Sequence, residues 1–364
     1  MAALFFVRGQ TMIIVDAHQD IAWNTACFGR DYRTSAIKHR ENEIGQTWDK
    51  AMLGLPDAML GRVGIVFSTL FVAPASSTPI ASPNPEPTYR DEREAYKEAG
   101  KQIDYYHRLA DEDDRIRLIR NRQELNIVVE SWDKPIGERK QGLVILMEGA
   151  DPILEPKQFE EWYERGVRIV GTSWKATRYA GGTGEPGGLS KIGYELLEIL
   201  ASFNAILDLS HMAEQAYNEA CDRYEGVLIA SHSNPRKFRE SDRHLSDDMI
   251  RRLADRDGVM GIVPFNSFLH KTWSRKDKQR LPISLVADAI DHVCQITGSA
   301  RHVGIGSDFD GGFGADQTPQ GFETVGDLIL IADVLKERGY STEDIEAIMG
   351  ENFIRKLRET LPEN

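Results

Sequence analysis

Met12-Ile13-Ile14-Val15-Asp16-Ala17-His18-Gln19-Asp20 runs from an apolar, β-branched stretch directly into an imidazole and a carboxylate two residues apart. The apolar part reads as a buried strand. Side chains alternate along a strand, so residues two apart share a face. His18 and Asp20 therefore enter one cavity together, a common half-site for a borderline metal such as zinc. His-x-Asp alone is a weak signal, because it arises by chance in many chains. Four later strand ends with matching chemistry give it weight.

Apolar, β-rich runs recur at 63–72, 143–147, 167–171, 205–209, 227–230, 259–263 and 302–306. Between them, 90–110, 191–203, 213–224, 247–254, 283–297 and 325–338 read as helices. Eight strands alternating with helices predict an α/β protein with parallel strands joined by crossovers, closed as a (β/α)8 TIM-type barrel. No linker or repeat divides the chain, so residues 1–364 read as one domain, with 1–11 as an extension ahead of the first strand. The Pro/Ser-rich stretch Pro74 to Pro87 reads as a loop above the second strand, and Gly-rich 181–188 as another.

Bulk properties exclude several partners. A formal net charge of −13 and the lack of a basic run argue against nucleic acid. Cys27, Cys221 and Cys294 are too few and scattered for a disulfide framework, which points to a reducing, cytoplasmic setting. No segment is long and apolar enough to span a membrane. A homodimer is one candidate assembly.

The residues just past the strands form a set. His18 and Asp20 close the first, and Glu148 the third. His211 ends the fifth within Asp208-Leu209-Ser210-His211, and His232 the sixth within Ser231-His232-Ser233. Asp308 ends the eighth within Gly306-Ser307-Asp308-Phe309-Asp310-Gly311. In a parallel barrel these ends share the C-terminal rim, where active sites of the fold sit. A lone rim histidine is more often a satisfied structural residue; three imidazoles and three carboxylates together exceed what structure requires. Six donors are too many for one tetrahedral zinc but suit two ions sharing a carboxylate and a hydroxide. Two dications against Asp20, Glu148 and hydroxide leave a small positive excess, suited to an anionic tetrahedral intermediate. His302 opens a strand at the barrel bottom, His107 and His292 lie on helices, and His39 and His270 fall in polar loops; all five read as structural or solvated.

On these motifs the chain resembles the membrane (renal) dipeptidase family of binuclear zinc peptidases, within the amidohydrolase superfamily, from Asp16 to Gly350-Glu351-Asn352-Phe353. The resemblance implies a (β/α)8 barrel holding two zinc ions. It makes His18 and Asp20 ligands of one ion, Glu148 the bridge, and His211 and His232 ligands of the other. It makes Asp308 the acid that handles the proton of the bridging water. Arg243, within Ser241-Asp242-Arg243-His244-Leu245-Ser246, matches the arginine that holds the substrate's free carboxylate, a task suited to a planar guanidinium fork. One position departs: mammalian members carry an oxyanion-stabilising histidine after the fourth strand, and Trp174 stands at that place. An indole N–H donates a hydrogen bond but carries no charge. Lys175, Arg178 and Tyr179 are further candidates for this pocket, each with an ordinary surface reading beside it.

The implied activity is hydrolysis of dipeptides, including those with a C-terminal D-residue, by attack of a metal-bridging hydroxide. Two rivals stand beside it: another binuclear-metal amide or lactone hydrolase on the same scaffold, and a non-catalytic binding protein that retains the fold. The intact donor set argues against the second.

Overall fold

A computed structural model describes residues 6–7, 10–277 and 279–364. Eight parallel strands close into a barrel: β1 (Ile14–Gln19), β2 (Val63–Phe71), β3 (Gln141–Glu148), β4 (Val167–Gly171), β5 (Ile206–Asp208), β6 (Leu228–Ala230), β7 (Val259–Ile262) and β8 (Val303–Ile305). Each pairs with its sequence neighbours, and β8 pairs with β1 to complete the ring. The longest seam joins β2 to β3, from Ile65 opposite Gly142 to Phe71 opposite Glu148. Every residue of these strands is buried, as expected when helices cover the outer face and packed side chains fill the inner one.

Local signals start the helices where side-chain caps are available. Asp91 accepts the Arg93 and Glu94 amides at the head of Glu92–Glu112, Ser190 caps Lys191–Ser202, and Ser246 caps Asp247–Asp255. The stretch expected as one helix over 325–338 divides into a 3-10 segment, Val325–Ile329, and a helix, Leu330–Glu337. Short helices Ile21–Phe28, Ala36–Asn42 and Leu55–Leu60 carry too few turns for an apolar period to register in sequence.

Two expectations are corrected. The 181–188 stretch is not a loop but a hairpin, Ala180–Gly182 paired antiparallel with Glu185–Leu189. Its glycines serve close approach, since a Cβ on Gly181 would lie 2.5 Å from the Gly187 backbone. His39 is not in a loop either; it lies in Ala36–Asn42, buried, with Nε2 2.9 Å from the Asp31 carbonyl. The 74–87 loop is present, closed at its base by Ala73–Pro74 pairing with Thr88–Tyr89. Of the expected extension 1–11, residues 1–5 and 8–9 lie outside the described residues; Phe6–Val7 pairs antiparallel with Gln10–Thr11.

At the C-terminal rim the chain crowds. A Cβ on Gly261 or Gly306 would come within 1.9 Å of the Ser231 carbonyl oxygen, so β7 and β8 close against the end of β6 only with glycine there.

Candidate metal centre

All six strand-end donors meet at the rim. His18 Nε2 lies 3.5 Å from one Glu148 oxygen and 3.8 Å from Asp20. The other Glu148 oxygen lies 3.2 Å from Nε2 of both His211 and His232. One carboxylate thus faces two separate donor groups, His18 with Asp20 and His211 with His232. Asp308 Oδ1 stands 3.9 Å from His18 Nε2. Its location also admits a third grouping, His18 with His232 and Asp308. A Cβ at Gly311 would lie 2.3 Å from Asp308 and 2.7 Å from Asp20, so glycine makes room for both carboxylates.

Surrounding groups orient these donors. Asp208, at the end of β5, accepts the Ser231 and Ser210 amides and the Ser231 hydroxyl. Ser231 Oγ in turn sits 2.8 Å from His232 Nδ1. Thr183, from the glycine-rich hairpin, places Oγ1 3.0 Å from His211 Nδ1. With both Nδ1 atoms engaged, both Nε2 atoms turn to Glu148, the arrangement by which outer groups fix a ligating imidazole. The Thr69 hydroxyl donates to Asp20. His211 and Asp308 hold left-handed backbone angles, φ 65° and 56°. Such conformations cost about 1–3 kcal/mol and gather at functional sites.

The electrostatics suit cations. Burial opposes ionisation of Glu148, but His18, His211 and His232 outweigh it and hold its carboxyl well below the usual range. Burial also lowers His18, yet Glu148, Asp20 and Asp308 raise it to about 10. Burial, with the Arg243 charge, lowers His211 to about 4; burial, His18 and Arg243 hold His232 well below its ordinary value. Both imidazoles are therefore neutral and free to ligate. Burial, reinforced by Asp20 and Glu148, raises Asp308 well above the usual carboxylate range despite the opposing His18 charge. The sharpest sign of fit is His18: fully buried, it has no hydrogen bond at either ring nitrogen. Buried polar atoms are normally satisfied, and a metal at Nε2, taking the place of the proton that the three carboxylates otherwise favour on this ring, would satisfy that atom.

A cavity of about 320 Å³ opens over these residues, walled by Trp23, Phe71, Trp174, Phe265, Phe268 and Phe313. Arg243 lines it and is itself buried. Its Nη2 donates to the His232 carbonyl at 2.7 Å and Nη1 to Ser233 Oγ at 3.3 Å, leaving other N–H donors of the fork for a ligand. Trp174 also lines the cavity, edge-on to Phe71 with ring centroids 5.2 Å apart and 6.1 Å from the His211 ring. Two of the neighbouring candidates, Tyr179 and Arg178, turn away. Tyr179 is buried and donates to the Ile153 carbonyl, and Arg178 binds Asp151 and the carbonyls of Asp151, Ile153 and Leu154. Lys175 borders a small recess that Glu148 and Trp174 also line.

Trp174 packs edge-on to Phe71, an arrangement compatible with a wall role. Trp174→Phe keeps that shape and loses the N–H, so kcat should change by less than about threefold. An oxyanion donor would instead cost about 10²–10³-fold. Steady-state kinetics at equal metal content separates the two.

Sequence reasoning missed Thr69, Thr183 and the Phe265, Phe268 and Phe313 wall. It also passed over His244, which is buried edge-on to Phe268 with no hydrogen bond at either ring nitrogen. Asp208 stood inside a quoted motif without a role. Its position two residues before Ser210 was the only available signal.

Comparison with known proteins agrees with this architecture. The profile of the membrane dipeptidase family, peptidase family M19, matches residues 9–362. A Schizosaccharomyces pombe protein described as an uncharacterized dipeptidase is 26% identical over 363 residues, covering 95% of this chain and 80% of its own. Dipeptidase tcpJ of Claviceps purpurea is 34% identical over 172 residues, covering 47% of this chain and 38% of its own. The crystal structure of a Rhodobacter sphaeroides metallo peptidase liganded with a phosphinate mimic of L-Ala-D-Ala superposes with a TM-score of 0.75 at 22% identity, over 96% of this chain and 99% of that one. That likeness is one of fold.

Proposed function

Because the chain belongs to the membrane dipeptidase family and is a metallo-dipeptidase, we propose that it cleaves dipeptides at two zinc ions. His18 and Asp20 would hold one, His211 and His232 the other, and Glu148 would serve both. The observation that carries this reading is Glu148, with one oxygen toward each donor group. We read residues 1–364 as one hydrolase domain with 1–11 as an extension, acting in the cytoplasm on small peptides. No described helix is long and apolar enough to cross a membrane.

When bound, the zinc pair supplies Lewis acidity at the scissile carbonyl and a water acidic enough to attack near neutral pH. The protein supplies position and proton transfer. Arg243 pairs its guanidinium with the substrate's terminal carboxylate. Asp308 takes the proton of the attacking water and delivers it to the leaving nitrogen. Trp174 walls the substrate and keeps bulk water from the site. Dipeptides with a D-residue at the C-terminal side belong to the proposed substrate range, and the L-Ala-D-Ala mimic on the Rhodobacter sphaeroides protein supports including them in a panel.

The test follows from Arg243. Blocking the terminal carboxylate as an amide should sharply lower kcat/KM in the wild type. Arg243→Ala should lose most of that discrimination, at a cost of about 2–5 kcal/mol, the range for truncating a desolvated, charge-paired partner. Equal turnover of free and amidated dipeptides by the wild type would exclude this role.

A further inference from the structure

Four carboxylates line the cavity: Asp20, Glu86, Glu148 and Asp308. On the proposed function, three are committed to metal or to the travelling proton, and Glu86 is not. It lies in the 74–87 loop, half-buried, and makes no ion pair among the described residues. Its carboxylate lies near the Ile80 amide and the Trp23 indole, whose N–H makes no hydrogen bond, and both residues line the same cavity. Burial raises its carboxyl above the usual range, a penalty that a nearby cation would relieve. The other charge at the mouth is Arg275, which also borders a neighbouring recess with Thr78 and Ile80 of this loop but makes no ion pair with Glu86. It lies over Phe265, donates to the Gly312 carbonyl and stands 3.8 Å from Asp49.

Barrel topology sets where Glu86 stands relative to Arg243. The Glu86 loop follows β2, and Arg243 follows β6. In a ring of eight strands these are four places apart, on opposite sides of the rim. Glu148 and His211 line the cavity that both border. A dipeptide carries an ammonium at one end, a carboxylate at the other and the scissile amide between. Resting on the dipeptidase reading, we propose that Glu86 receives the free ammonium of the substrate, opposite the arginine that receives its carboxylate. The first side chain then meets Trp23, Phe71 and Ile80, so the favoured class is dipeptides with a free amine and an apolar first residue.

Leucyl-alanine and its desamino analogue, 4-methylpentanoyl-alanine, differ only in the ammonium. The wild type with zinc added should prefer leucyl-alanine in kcat/KM by about tenfold or more, largely through KM. Glu86→Gln keeps the side chain's size and removes its charge, and should bring that ratio close to one, with metal content and circular dichroism as controls for folding. A mutant that keeps the wild-type preference overturns the assignment. So does a wild type that cleaves both compounds equally, while amide hydrolysis stands. Cleavage of neither compound, nor of any other dipeptide, overturns the dipeptidase reading and the Glu86 role with it.

Discussion

Glu148→Ala should lose more than one metal ion per chain and lower kcat/KM by about 10³-fold or more, the rate equivalent of about 4 kcal/mol. The geometry requires the double loss. One Glu148 oxygen faces His18, and the other faces His211 and His232, so loss of Glu148 touches both donor groups at once. Removing it also strips the three imidazoles of their shared counter-charge, which weakens whatever two-ligand sites are left. Glu148→Gln retains the shape and one oxygen, and should keep part of one site. Elemental analysis of matched preparations reads the result. Full retention of metal in Glu148→Ala would mean that the ions, if bound, sit elsewhere.

Asp308→Asn should lower kcat by about 10²–10⁴-fold, the scale of a lost general acid–base group, while metal content stays near that of the wild type. Asparagine suits this test because Asp308 holds a left-handed backbone conformation, φ 56°, which asparagine tolerates better than most residues. The amide preserves that conformation and most of the side chain's contacts while abolishing proton transfer. The same variant decides between the groupings open to Asp308, since it also stands near His18 and His232 as a third potential donor. Loss of metal in Asp308→Asn would make it a ligand; unchanged kcat would make it structural.

The barrel and its donors were legible because they depend on strong local patterns. Eight apolar runs announce eight strands, and a parallel barrel places all their ends on one rim, so His18, Asp20, Glu148, His211, His232 and Asp308 converge without knowledge of any loop. What sits on loops was not legible. Thr183 reaches His211 from a hairpin whose glycines look in sequence like a flexible loop, because glycine serves open turns and close backbone approach alike. Phe265, Phe268 and Phe313 meet over the cavity from two separate segments and show no shared period. Tyr179 and Arg178 fail in the opposite way. They are near Trp174 in sequence, yet backbone carbonyls between Asp151 and Leu154 hold them away from the cavity. Sequence adjacency to a site residue says little about direction once the chain has left the strand.

The most direct test is to assay the zinc-loaded protein on a panel of dipeptides, N-acyl amino acids and lactones, before and after chelation. The predicted result is release of free amino acids from dipeptides, lost on chelation and restored by zinc. Turnover of N-acyl amino acids or lactones with no dipeptide cleaved, or dipeptide cleavage indifferent to chelation, would contradict the account.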